Sequence, residues 1–123
     1  MGYYTSYSLS VDDVNPLLAA SLEEEVDKMD VFESGDSRNG WYGYCKWYDH
    51  DEDMMLLSKR FPGVLFELYG DGEDSEDMWR AYYRDGRMQY CPAIITFNPF
   101  SEEELAKCEP IKDTNKVYSH QSE

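Results

Sequence analysis

Asp85-Gly86 sits between two runs that can each form a strand, Met78–Arg84 and Arg87–Phe97. An Asp-Gly pair supplies the two positive-φ positions of a tight two-residue hairpin, so the flanking runs should be antiparallel neighbours in one sheet. This makes an antiparallel sheet the organising element, and the other segments must extend it or cover it. Pro92 carries no N–H and places the second run at a sheet edge or a bulge.

Three further stretches read as strands. Tyr3–Val11 alternates, with Tyr7, Leu9 and Val11 on one side and Ser6, Ser8 and Ser10 on the other, the pattern of a half-buried strand. Gly40–Tyr48 is aromatic, with glycines marking a bend or bulge. Val64–Tyr69 sets Val64, Phe66 and Leu68 against Leu65, Glu67 and Tyr69.

Two helices interrupt these strands. Asn15-Pro16 is an N-cap followed by proline at the first helical position, with Leu18, Leu22, Val26 and Met29 at helical spacing and Glu23, Glu24, Glu25 and Asp27 facing out. Asp49 with Glu52 reads as a second helix start. Met54, Leu57 and Phe61 share one side of it, and Pro62-Gly63 stops it. Residues 33–40 and 70–77 read as polar and acidic loops. Ser101 with Glu104 is a capping box for a short last helix. The order strand, helix, strand, helix, three strands predicts an α+β domain over residues 1–111, with helices on one face of a mainly antiparallel sheet. The nearest common architecture is ferredoxin-like with an added hairpin strand. Residues 112–123 are expected to be a flexible tail.

Charge narrows the partners. The chain carries 26 Asp and Glu against 11 Lys and Arg, a net charge of −15. Such a field repels nucleic acid and anionic membrane surfaces, so neither is expected as a direct partner. A basic protein surface is the expected complement. The alternative is that the acidity serves solubility alone. Cys45, Cys91 and Cys108 are odd in number and form no CxxC pair, which reads against a disulfide framework or a zinc knuckle and for a reducing, cytoplasmic setting. The opening MGYYTSYSLS has neither the basic start nor the apolar run of a signal peptide.

Neither acidic run, Asp49–Asp53 or Asp71–Asp77, has the ligand spacing of a calcium loop. A capped helix start and a solvated loop explain them better. His50 and Cys45 form no more than a formal nucleophile pair. No catalytic residue, metal ligand or cofactor is therefore assigned. The aromatics say more. If helices cover one sheet face, alternation puts Tyr4, Ser6, Ser8, Leu65, Glu67, Tyr69, Arg80, Tyr82, Arg84, Ile94 and Thr96 on the other. Tyrosine and arginine are enriched in interfaces. The candidate partner-binding residues are accordingly Tyr69, Arg80, Tyr82 and Arg84, together with the carboxylates Glu24, Asp27, Asp71, Glu73, Asp74 and Glu76.

The series Trp47-Tyr48-Asp49-His50, Asp53-Met54, Leu57-Ser58, Phe61-Pro62, Val64, Phe66, Leu68, Gly70, Gly72-Glu73, Asp77, Trp79, Tyr82 and Asp85-Gly86, with the MGYYTSYSL opening, resembles a group of small proteins of phages and mobile elements. The resemblance covers roughly residues 3–100. It implies a ferredoxin-like fold and a phage origin, and it brings no catalytic residues, because the group has no established activity. Charge, aromatics and resemblance together lead to a non-enzymatic protein that binds and inhibits a host nucleic-acid-handling or defence protein, such as a CRISPR effector, in the host cytoplasm. A homodimeric accessory or scaffold protein is the second reading, and a small metal-dependent hydrolase using one acidic run is the third.

Overall fold

The hairpin turn lies where the sequence puts it. Asp85 has φ 54° and Gly86 φ 80°, and the flanking strands pair antiparallel from Arg84 opposite Arg87 to Trp79 opposite Pro92. The computed structural model describes residues 2–12 and 14–112. Its elements in chain order are β1 (Thr5–Asp12), a 3-10 turn (Pro16–Leu18), α1 (Ala19–Met29), β2 (Ser34–Asp36), β3 (Gly40–Cys45), α2 (His50–Arg60), β4 (Leu65–Gly72), β5 (Met78–Arg84), β6 (Arg87–Pro92) and α3 (Glu102–Lys107). The strands form one sheet in the order β2-β3-β1-β4-β5-β6, and every neighbouring pair is antiparallel. The class is therefore α+β. The six-stranded sheet is wider than a β-α-β-β-α-β unit alone would build.

Register divides the sheet cleanly. Opposed residues share a face, so Tyr7, Gly43 and Gly70 align, as do Leu9, Trp41, Leu68 and Ala81, and likewise Phe66, Tyr83 and Met88. This inner face makes one buried cluster with Leu22 and Val26 of α1, Met54 and Leu57 of α2, and Phe61 and Val64. Both long helices thus lie on one side. The other face is open.

Several elements differ from the sequence expectation. The polar stretch 33–40 contains β2, paired to β3 through Ser34–Tyr42 and Asp36–Gly40. Nothing in Ser-Gly-Asp favours a strand, and the pairing comes from the tight return into β3. Leu18 is 43% exposed, because the helix opens with a 3-10 turn in which the Asn15 side chain accepts from Leu17 N–H. Asp49 makes no side-chain cap to α2. Strand β3 ends at Cys45, short of Tyr48, and β6 ends at Pro92, short of Phe97. After Pro92 only Ala93 still donates to β5, to Met78 O at 2.9 Å. Ile94 and Thr96 therefore do not lie on the open face. Ser101 caps α3 by accepting from Glu104 N–H at 3.2 Å, while the Glu104 carboxylate turns to Lys107. Except for Lys112, the expected tail lies outside the described residues.

Candidate functional site

Topology gathers carboxylates that are far apart in sequence. Thr5 at the start of β1 pairs with Cys45 at the end of β3 and with Gly72 at the end of β4, and Asp71 pairs with Met78 at the start of β5. One end of the sheet therefore carries both the 71–77 loop and the start of α2. The end of α1 reaches the same place: Phe32 packs edge-on against Trp47 at 5.6 Å, and Met29 and Asp53 line one cleft. Asp30, Asp49, Asp51, Glu52, Asp53 and residues 71–77 thus form a single acidic pole. The opposite end is mixed: Arg38, Lys59, Arg60, Arg84 and Arg87 stand there with Asp12, Asp36 and Asp85, at the end of β1, the β2–β3 turn, the end of α2 and the β5–β6 turn.

Some of the pole's carboxylates have structural work inside the fold. Asp53 accepts from Trp47 Nε1–H at 2.8 Å, and Asp51 accepts from the Tyr83 hydroxyl at 2.6 Å. Burial, then the hydrogen bond to Asp51, raises the Tyr83 pKa, so its hydroxyl stays a donor at any ordinary pH. Asp77 accepts from Tyr3 O–H at 2.7 Å and Glu73 from Tyr4 N–H at 2.7 Å, which ties the loop to the chain's start. The remainder is uncommitted. Asp30, Asp49, Glu52, Asp71, Asp74 and Glu76 are all exposed, and none enters an ion pair among the described residues.

The helix dipoles act on these charges in opposite senses. Asp27 and Asp30 stand at the C-terminus of α1, where the dipole disfavours negative charge, whereas Asp51, Glu52 and Asp53 fill the first turn of α2, where it favours it. Asp30 also adopts φ 58° as the C-cap, a left-handed conformation that glycine adopts most freely and Asp more readily than other residues. Local features that work against the fold point to a role outside it.

The open face is different in kind. Strand β1 lays only Ser6, Ser8 and Ser10 across its centre. On either side stand the tyrosines of β3 and β4, with Ser6 opposite Tyr44 and Ser8 opposite both Tyr42 and Tyr69. Small residues between tall ones make a trough, an open groove of about 690 Å³ that Arg80 and Glu67 close on the β4–β5 side. Arg80 pairs with Glu67 at 3.4 Å and lies 6.0 Å from the Tyr69 ring. Tyr4 stacks on Tyr44 at 5.1 Å.

The sequence-derived partner residues fall on different surfaces. Tyr69, Arg80, Tyr82 and Arg84 share the open face. Glu24 and Asp27 are exposed on α1, on the far side of the sheet, while Asp71, Glu73, Asp74 and Glu76 lie at the pole. No flat partner could touch the α1 carboxylates and the open-face tyrosines together. Sequence reasoning missed Tyr42 and Tyr44, although carrying the alternation through Trp41 and Gly43 would have placed both outward. It also missed Asp30, Asp49 and Glu52, whose meeting with the 71–77 loop depends on strand order.

Nucleophile chemistry finds no support in the contacts. Cys45 Sγ donates to Val31 O at 3.6 Å, while His50 Nδ1 meets Asp51 at 3.1 Å. Burial raises the Cys45 pKa, which disfavours the reactive thiolate. His50 instead stacks on Trp79, 4.9 Å between ring centroids. Among the described residues no three His, Cys, Asp or Glu side chains converge as a metal site requires, and no helix is long and apolar enough to cross a membrane. The chain matches no family model, no curated protein and no solved structure.

Proposed function

We propose that this protein is a non-enzymatic interaction protein whose acidic pole binds a basic surface on another protein. The observation that carries the reading is the six exposed carboxylates, uncommitted to any ion pair among the described residues, brought towards one end of the sheet. Opposed charge steers such encounters and raises association rates. A basic groove that normally receives phosphates fits this pole best, and occupying it would inhibit a nucleic-acid-handling or defence protein of a host cell, in its cytoplasm. Within the proposal belongs a ferredoxin-like core: β1-α1-β2-β3-α2-β4 follows the β-α-β-β-α-β order, extended by the β5–β6 hairpin, in keeping with the phage-type resemblance.

The test is capture of partners from a host lysate on immobilised protein, wild type against a variant with Asp49→Asn, Glu52→Gln, Asp74→Asn and Glu76→Gln. The wild type should retain a basic protein that the variant loses. Equal capture by both would refute the reading.

A further inference from the structure

From Pro92 onward no described residue is buried; Ser101 is the one partly covered position in a run exposed to Lys112. Yet the run is apolar. Ile94 and Phe97 are each 91% exposed, Phe100 73% and Ile95 47%. Four large apolar side chains on one extended stretch have no place within their own chain, and exposed patches of this kind mark contact sites.

The open face offers what the stretch lacks. Its trough is floored by serines and walled by Tyr42 and Tyr69, with room for a Phe or Ile between rings. We propose that Ala93–Phe100 is an exchange arm, seated in the trough of a second copy of this chain while that copy's arm occupies the first.

Reach permits this. Eight extended residues span ~26 Å at ~3.3 Å each, and the partner's serine strand, three strand spacings (~14 Å) in from the β6 edge and ~10 Å away across two packed sheet faces, is ~17 Å off. Charge selects the second copy. At −15 per chain, self-association needs a local match, and the arm leads into Glu102, Glu103 and Glu104, exposed at the start of α3. The open face carries Arg84 and Arg87, also exposed and in no ion pair among the described residues. With open faces together, each copy's glutamates meet the other's arginines, and the acidic poles stay at the sheet ends. Area is just sufficient. An extended arm turns alternate side chains to opposite sides, so Ile95 with Phe97, or Ile94 with Phe100, meets the trough and buries about 250 Å² per arm. Two arms and the troughs that receive them give ~1,000 Å² in total, the least a specific interface needs. This interface does not involve the pole and stands or falls separately from the proposed function.

Sedimentation velocity on the full chain decides it. Wild type should be a dimer at micromolar concentration. The double variant Ile94→Asp with Phe97→Asp should dimerise at least ~100-fold more weakly, while its monomer, compared with wild type diluted below its dissociation constant, should keep the same melting temperature, since neither side chain is buried within its own chain. Arg84→Glu with Arg87→Glu should weaken the dimer, and adding Glu102→Lys with Glu103→Lys to that chain should restore it. A wild type that stays monomeric to ~100 µM, whether its arm is free, on its own trough or held for another protein, would overturn the proposal. So would a dimer that survives loss of Ile94 and Phe97.

Discussion

Gly70→Ala adds one methyl group at the tightest aromatic contact of the inner face. Gly70 stands between Tyr7 of β1 and Trp79 of β5 in the paired registers. A Cβ there would lie 2.2 and 2.3 Å from Cζ2 and Cε2 of the indole, whereas carbon atoms settle at about 3.5–4.0 Å. The ring must retreat by more than ~1 Å, and it has little room. Trp79 is 7% exposed, stacked on His50 at 4.9 Å and edged by Tyr7 at 6.2 Å. Overpacking costs about 1–3 kcal/mol, and loosening an aromatic pair adds ~0.5–1.5 kcal/mol. Against this, alanine restricts the unfolded chain and returns ~0.4–1 kcal/mol. The net expectation is a loss of about 1–3 kcal/mol, read from urea unfolding followed by tryptophan fluorescence. Combining the change with Trp79→Phe should give a double variant more stable than the two separate losses predict, because the smaller ring vacates the clash. A Gly70→Ala protein as stable as wild type, or strict additivity in the pair, would refute the packing argument.

Four other outcomes follow from the same geometry. Phe66→Ala and Leu57→Ala, at 0% and 4% exposure, should cost ~3–5 and ~2–5 kcal/mol respectively in denaturant titration. Asp30→Gly removes a left-handed non-glycine residue and an adverse charge at the end of α1, so it should stabilise by about 1 kcal/mol in thermal unfolding while weakening partner binding. The Glu23 pKa is lowered by hydrogen bonds from Ser37 N–H and Oγ–H. Its stabilising contribution is present above the ordinary carboxylate range and is lost as pH falls through the lowered value, so the stability gap between wild type and Glu23→Gln should close below about pH 4. Chelator should leave the melting temperature unchanged, because a metal bound only to the folded state would have raised it.

How much of this was legible in the sequence depends on how local its cause is. The Asp85-Gly86 turn, the alternation of β1 and β4 and the inward side of α2 are encoded within a few residues, and each was readable. Strand β2 was not, because Ser34-Gly35-Asp36 forms a strand only through its pairing with β3. The end of β6 was misread because Ile94-Ile95-Thr96-Phe97 has high β-propensity but no helix beneath it to pack on. At the start of α2, Asp49 and Glu52 looked like a cap. The structure instead uses Asp51 and Asp53 to hold Tyr83 and Trp47, partners placed by the tertiary fold. The acidic pole was half legible: the runs were plain, but their joining with the end of α1 follows from strand order, which no local pattern encodes.

The central claim, that the pole is a docking surface for a basic partner, is tested most directly by association and dissociation rates for the captured partner across ionic strength. Between ~0.1 and ~1 M salt the screening length falls from ~10 to ~3 Å. Association should slow steeply over this range while dissociation changes less. The variant with Asp49, Glu52, Asp74 and Glu76 neutralised should start slow and respond weakly to salt, and DNA and RNA should not bind at physiological salt. Rates that ignore both salt and those four carboxylates would contradict the claim and leave the acidity a matter of solubility.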